Sequence, residues 1–319
     1  MVVTNLFAEN YYFKRYDKEN GLSQQTVFCA VQDRRGFLWF GTKVGLNRFD
    51  GTKFKNYVAD PEQPNSLPNN TVLALAEAPD GSLWLGTSDG LCIYNPEKDT
   101  FAPFVSADLT IEGLIDNLVF DKQGNLWVIN SKGIYCLDVK NGNHKFFAAS
   151  DFFVPTGITV TQSGSVWVLG LDGNIYLFNP QRMEFSSYPI LTKEEKTKHI
   201  LLYRILECSN GDLVVTTDRI GARRFSPNNG EVKVLFSNDS QNNPIYIHTA
   251  IQRNKDEFWF GTESGIHIYQ LDLGFIDHLQ KSYNDAYSLS DNAVHMLLKD
   301  REEGIWVGTF FWWCELLVE

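Results

Sequence analysis

Trp39-Phe40-Gly41-Thr42 returns along the chain as Trp84-Leu85-Gly86-Thr87, Trp127-Val128-Ile129-Asn130, Trp167-Val168-Leu169-Gly170, Trp259-Phe260-Gly261-Thr262 and Trp306-Val307-Gly308-Thr309. A seventh phrase, Leu213-Val214-Val215-Thr216, fills the gap between Trp167 and Trp259. Aligned on these phrases, the successive spacings are 45, 43, 40, 46, 46 and 47 residues. Self-similarity at such a period marks one supersecondary unit copied seven times.

Working outward from the Trp, each copy has the same parts. An apolar run such as Val27-Phe28-Cys29-Ala30-Val31 leads into a Gly turn such as Arg35-Gly36 or Asp80-Gly81. Gly supplies the positive φ that a short hairpin needs. The Trp strand follows, then a run that opens on Gly and closes on an aromatic or Leu, as in Gly45-Leu46-Asn47-Arg48-Phe49. A fourth strand ends the unit, for example Phe54-Lys55-Asn56-Tyr57. These segments are rich in aromatic and β-branched residues, and only Lys193 to Lys198 reads as a helical turn. Four short antiparallel strands per 40 to 50 residues make a propeller blade. The chain is expected to be all-β, a seven-bladed β-propeller with one Trp per blade wedged between neighbouring sheets. Tyr12 to Leu22 resembles the outer strand and loop that end other blades. Paired with the last blade, that strand would close the ring and hide its sheet edges.

Residues 11–319 are therefore read as one propeller domain. Residues 1–10 read either as a signal-peptide remnant, with Asn5-Leu6-Phe7-Ala8 as its trimmed tail, or as a disordered start. The tail breaks the pattern. Gly45, Gly90, Gly133, Gly173 and Gly265 stand six residues after their Trp, but the position after Trp306 is Trp312. Codons TGG-TGG-TGT-GAA for Trp312 to Glu315, read one base later, give Gly-Gly-Val followed by Asn or Lys. Residues 312–319 are accordingly expected to come from a shifted frame, the alternative being an unusual genuine terminus. Their apolar character still suits a makeshift strand.

Composition narrows the function. Net charge is −11 with no basic stripe, which argues against phosphate-backbone binding to nucleic acid. No apolar stretch approaches the length of a membrane span. The five Cys, at 29, 92, 136, 208 and 314, show neither metal spacing nor an even disulfide count.

Loops entering the innermost strand and loops joining the second and third strands share one face of a propeller. Here these loops carry Lys43, Asp89, Asp116, Arg219 and Glu263. Amides and charges of this kind suit sugar hydroxyls, which donate and accept hydrogen bonds. The same residue types are also ordinary turn formers. His248 and His295 each lie 11 residues before their Trp, in a column that also holds Phe28, Leu73, Asp116, Thr156 and Leu202. Two His at one rim suit acid–base or metal chemistry. A third ligand at suitable spacing is not evident, so no metal, cofactor or catalytic residue is assigned. His248, His295, Asp116, Lys43, Asp89, Arg219 and Glu263 are carried forward as ligand-binding candidates.

Gly21-Leu22-Ser23-Gln24-Gln25-Thr26-Val27, Gln32 to Thr42 and Gly45 to Phe54 resemble the two-component-regulator propeller repeat. Asn65-Ser66-Leu67-Pro68-Asn69-Asn70-Thr71-Val72 and Tyr287-Ser288-Leu289-Ser290-Asp291-Asn292-Ala293-Val294 restate its inter-blade loop. The resemblance covers nearly the whole chain and weakens in repeats 3, 4 and 5. Such repeats form the sensor region of hybrid two-component systems in gut Bacteroidetes. The resemblance implies two propellers, a β-sandwich, a membrane span, a histidine kinase, a receiver and a DNA-binding helix-turn-helix in the full-length protein. It further implies a periplasmic, non-catalytic sensor propeller that recognises glycan-derived oligosaccharides and controls carbohydrate-utilisation genes. A second propeller and a dimer partner would be its protein partners. A stand-alone, lyase-like enzyme using the rim histidines and a protein-interaction scaffold are the competing readings.

Overall fold

A computed structural model of the chain describes residues 11–106, 109–151, 153–238, 243–310 and 314–318. Seven four-stranded sheets are present, each antiparallel throughout. Blade 1 runs Val27–Gln32, Leu38–Thr42, Gly45–Phe49 and Phe54–Tyr57 from the inside outward. Five further blades repeat that order. In blade 7 the inner strands Val294–Lys299 and Ile305–Thr309 are followed by Cys314–Val318. The N-terminal strand Tyr12–Tyr16 then adds as the outermost strand, in the register Tyr12 opposite Val318 to Tyr16 opposite Cys314. The strand Val27–Gln32 packs against both Val72–Glu77 and Val294–Lys299, which completes the ring. The one short helix among the described residues, Lys193–Lys196, starts on a capping box between Thr192 and Glu195. Residues 1–10 and 311–313, the latter including Trp312, lie outside the described residues.

The Trp residues do what the repeat predicts. Trp39 shares an apolar cluster with Leu83, Leu85 and Tyr94 of blade 2. Trp306 does the same with Leu38 and Phe40 of blade 1. One such cluster fills each of the seven blade junctions. Indole N–H groups find acidic partners: Trp39 donates to Asp33 at 2.9 Å, Trp127 to Asp121 at 2.8 Å and Trp306 to Asp300 at 2.8 Å.

Blade 5 corrects the alignment. Leu213 does not occupy the Trp position; Val214 does. Thr216 pairs with Arg204 as Gly41 pairs with Cys29, which places Val214 opposite Leu206 as Trp39 lies opposite Val31. Packing agrees, because Val214 enters the cluster between blades 5 and 6. Leu213 faces back toward blade 4, as Leu38 faces back toward blade 7. The phrase matching Trp-Phe-Gly-Thr is therefore Val214-Val215-Thr216-Thr217.

Glycine after the Trp strand is required at this fold's tightest approach. Gly45 has φ +106°, donates its N–H to Asn70 O of the next blade, and would place a Cβ 2.2 Å from Tyr57 O. Gly265 repeats the arrangement with Asn292 O and Leu279 O. Gly45→Ala is expected to cost at least about 2 kcal/mol, combining left-handed strain with a backbone shift. Urea unfolding of the variant measures it.

Candidate functional site

The inner strands open with a repeated irregularity. In six blades one residue is bulged out of register: Phe28, Leu73, Thr156, Tyr203, His248 and His295. A bulge re-aims a side chain, and here it faces the bore of the ring rather than a neighbouring sheet. Asp116 takes the equivalent place in blade 3, just before the strand Asn117–Phe120. Because blade 5 is shifted by one residue, its member of the column is Tyr203, not Leu202. Leu202 is buried, whereas Tyr203 is exposed at the mouth.

Phe28, Leu73, Asp116, Asn117, Thr156, Leu171, Tyr203 and Arg204 line a cavity of about 380 Å³ at this mouth. Arg204 was not among the sequence candidates. Arg204 is an exposed residue, and desolvation lowers its pKa while the charge of Asp116 opposes the shift. Asn117 Nδ2 donates to Asp116 Oδ1 at 3.0 Å and holds that carboxylate at the rim.

On the other side of the mouth, His248 and His295 stack with ring centroids 4.1 Å apart and planes 10° from parallel. Glu263, on the turn after the Trp259 strand, approaches both. Its Oε1 lies 2.6 Å from His248 Nε2 and 3.9 Å from His295 Nε2. Phe310 covers His295 at 5.0 Å, and Tyr203 meets His248 edge-on at 6.1 Å. Burial and the adjacent His248 push His295 down to about 4, against the pull of Glu263 and Asp291. His295 is thus a neutral imidazole at pH 7.

The remaining candidates stay outside this cluster. Lys43 and Asp89 are exposed on the second turns of blades 1 and 2, where the hydrogen bonds are backbone ones to Gln24 Oε1 and Thr87 Oγ1. Arg219 pairs with Asp218 at 3.0 Å and donates to His199 O, all within blade 5.

The two-component regulator propeller model matches residues 21–43, 66–89 and 288–311. The chain carries two-component-regulator propeller repeats. These matches fall on blades 1, 2 and 7, where the inter-blade loop is written most plainly. A histidine kinase P4 of Formosa agariphila is 49% identical over 53 residues, 17% of this chain and 4% of that protein. The extracellular domain of a B. thetaiotaomicron protein described as a hybrid two-component system superposes with a TM-score of 0.80 at 24% identity, covering 97% of this chain and 42% of that one. Virginiamycin B lyase from Staphylococcus aureus superposes with a TM-score of 0.73 at 12% identity, covering 97% and 99%. At those identities the superpositions speak for the fold. The chain spans less than half the length of the B. thetaiotaomicron domain and a small fraction of the kinase. Among the described residues no helix is long and apolar enough to cross a membrane.

Proposed function

We propose that this regulator propeller is a ligand-reading domain of a periplasmic sensor, recognising glycan-derived oligosaccharides so that an attached kinase controls carbohydrate-utilisation genes. The observation that carries the reading is the cavity at the channel mouth, in a chain built from sensor repeats. Phe28, Leu73, Leu171 and Tyr203 offer apolar surface for the C–H faces of a sugar ring. Asp116, Asn117 and Arg204 offer acceptors and donors for its hydroxyls. In the full-length protein a second propeller and a dimer partner would carry the signal onward, and this domain catalyses nothing itself.

A thermal-shift screen against plant and host oligosaccharides is expected to find a saccharide that raises Tm. Tyr203→Ala and Arg204→Ala should each weaken its binding about tenfold, or ~1.4 kcal/mol. Binding that survives both changes, or a screen without a ligand, removes the channel-mouth reading.

The 2.6 Å contact between His248 and Glu263 supports a second reading, because it is the geometry of a base oriented by a carboxylate. That lyase-like reading requires turnover of a bound ligand that His248→Ala abolishes.

A further inference from the structure

His248, Glu263 and His295 come from three separate segments: two inner-strand bulges of adjacent blades and the turn between them in sequence. One donor atom from each, a ring nitrogen of either histidine and a carboxylate oxygen, can be chosen so that all three lie within 4.8 Å of one another. Among the described residues this is the one set of three such donors so gathered. We propose that these side chains form a binding site for a divalent transition-metal ion at the channel mouth, with zinc the ion best matched to them. The proposal stands apart from the saccharide reading and would hold if no sugar bound.

The chemistry favours it in several ways. Two imidazoles and one carboxylate form a borderline-soft donor set suited to zinc, and three protein ligands leave a coordination position for water or a ligand oxygen. Donors about 2.1 Å from a tetrahedral ion stand about 3.4 Å apart. The observed 2.6 and 3.9 Å separations bracket that value, so small side-chain rotations bring the set to the required geometry. Room for those rotations exists, since Glu263 is 52% and His295 31% exposed at the side chain. Two parallel imidazoles at 4.1 Å repel if both carry protons, and Glu263 hydrogen-bonds only one of them closely.

Other soft donors compete poorly. All five cysteines are free, and Cys92, Cys208 and Cys314 are buried. Burial raises the Cys29, Cys92 and Cys136 thiols to about 12, so they remain protonated. His267 and His278 also stack, but their Nε2 atoms are engaged by Ser264 Oγ and Ser264 O.

Isothermal titration of zinc chloride into the whole chain should show one ion per chain. His248→Ala, His295→Ala and Glu263→Gln should each weaken binding at least about tenfold, the low end of what even outer-shell changes cost a metal site. His144→Ala, on an exposed outer strand, should leave it unchanged. A cobalt(II) titration of the unaltered protein gives a readout that needs no variant. It should produce visible d–d bands without the near-ultraviolet charge-transfer band of a thiolate ligand. Absence of a stoichiometric zinc site, zinc binding that survives the His248→Ala/His295→Ala double change, or a thiolate band would each overturn the proposal.

Discussion

Replacing Trp39 with alanine should lower the unfolding free energy by about 5 kcal/mol, the upper end of the range for a large aromatic. The indole is completely buried and sits where two sheets meet, with Tyr57 stacked on it at 5.8 Å and Tyr94 of blade 2 at 4.8 Å. Truncation would leave a cavity that neither sheet can close without leaving its own register. It would also take the indole N–H from Asp33, a carboxylate only 4% exposed. Asp33 would keep the Arg35 and Phe37 backbone N–H groups, so the loss stays short of an unpaired buried charge. Blade 5 shows what living without this Trp requires. There the slot holds Val214, and the facing positions of blade 6 are Phe258 and Phe260, both fully buried. At the blade 1–2 junction those facing positions are Leu83 and Leu85, which cannot fill the space. Denaturant unfolding of the Trp39→Ala variant measures the effect. A loss below about 2 kcal/mol would mean that the blades can slide together.

The blade count, strand order and ring closure were legible because one large residue recurs at a fixed place in each unit. Where that residue is missing the reading slipped. Leu213 and Val214 are both buried, one against blade 4 and the other against blade 6, so burial alone does not say which stands for Trp. The pairing of Arg204 with Thr216 decides it, and the direction in which each side chain packs agrees. The slip hid Tyr203 and Arg204. Counting 11 residues back from Val214 lands on Tyr203, and the bulge turns both it and Arg204 toward the bore. For the histidines, the shared offset from Trp correctly implied equivalent sites in adjacent blades. That Glu263 completes the group could not be read from spacing. Its approach depends on how far the turn after the Trp259 strand leans over the rim, a distance set by blade packing rather than by sequence separation.

Glu315→Asn should make the protein more stable at pH 8, by about 3 kcal/mol relative to the unaltered chain. Glu315 lies in the third strand of blade 7 opposite Val307 and is completely buried. Its Oε1 accepts the Ser290 N–H at 2.8 Å and lies 3.6 Å from Arg15 Nε, while Oε2, Arg15 Nε and Ser290 Oγ find no hydrogen-bond partner among the described residues. Burial pushes its carboxyl up to about 7, outweighing the Ser290 bond and the Arg15 charge. Because the folded pKa exceeds the ordinary value of 4.5, the folded state holds the proton more tightly. The associated stability is complete below about pH 4.5, is lost as pH rises to about 7, and stays lost above. Blade 1 shows the uncharged solution. Asn47 occupies the equivalent place, accepts the Ser23 N–H at 2.8 Å and donates to Phe40 O at 3.3 Å. In blade 2 the corresponding loop residue is Pro68, which has no N–H to offer, and the facing residue is Cys92. The position therefore asks for an acceptor where a donor is present, and for no charge in either case. Unfolding free energies at pH 4 and pH 8 should show the difference between variant and unaltered protein growing with pH. If instead the variant is the less stable at pH 8, the ion pair with Arg15 outweighs the cost of burying the carboxylate.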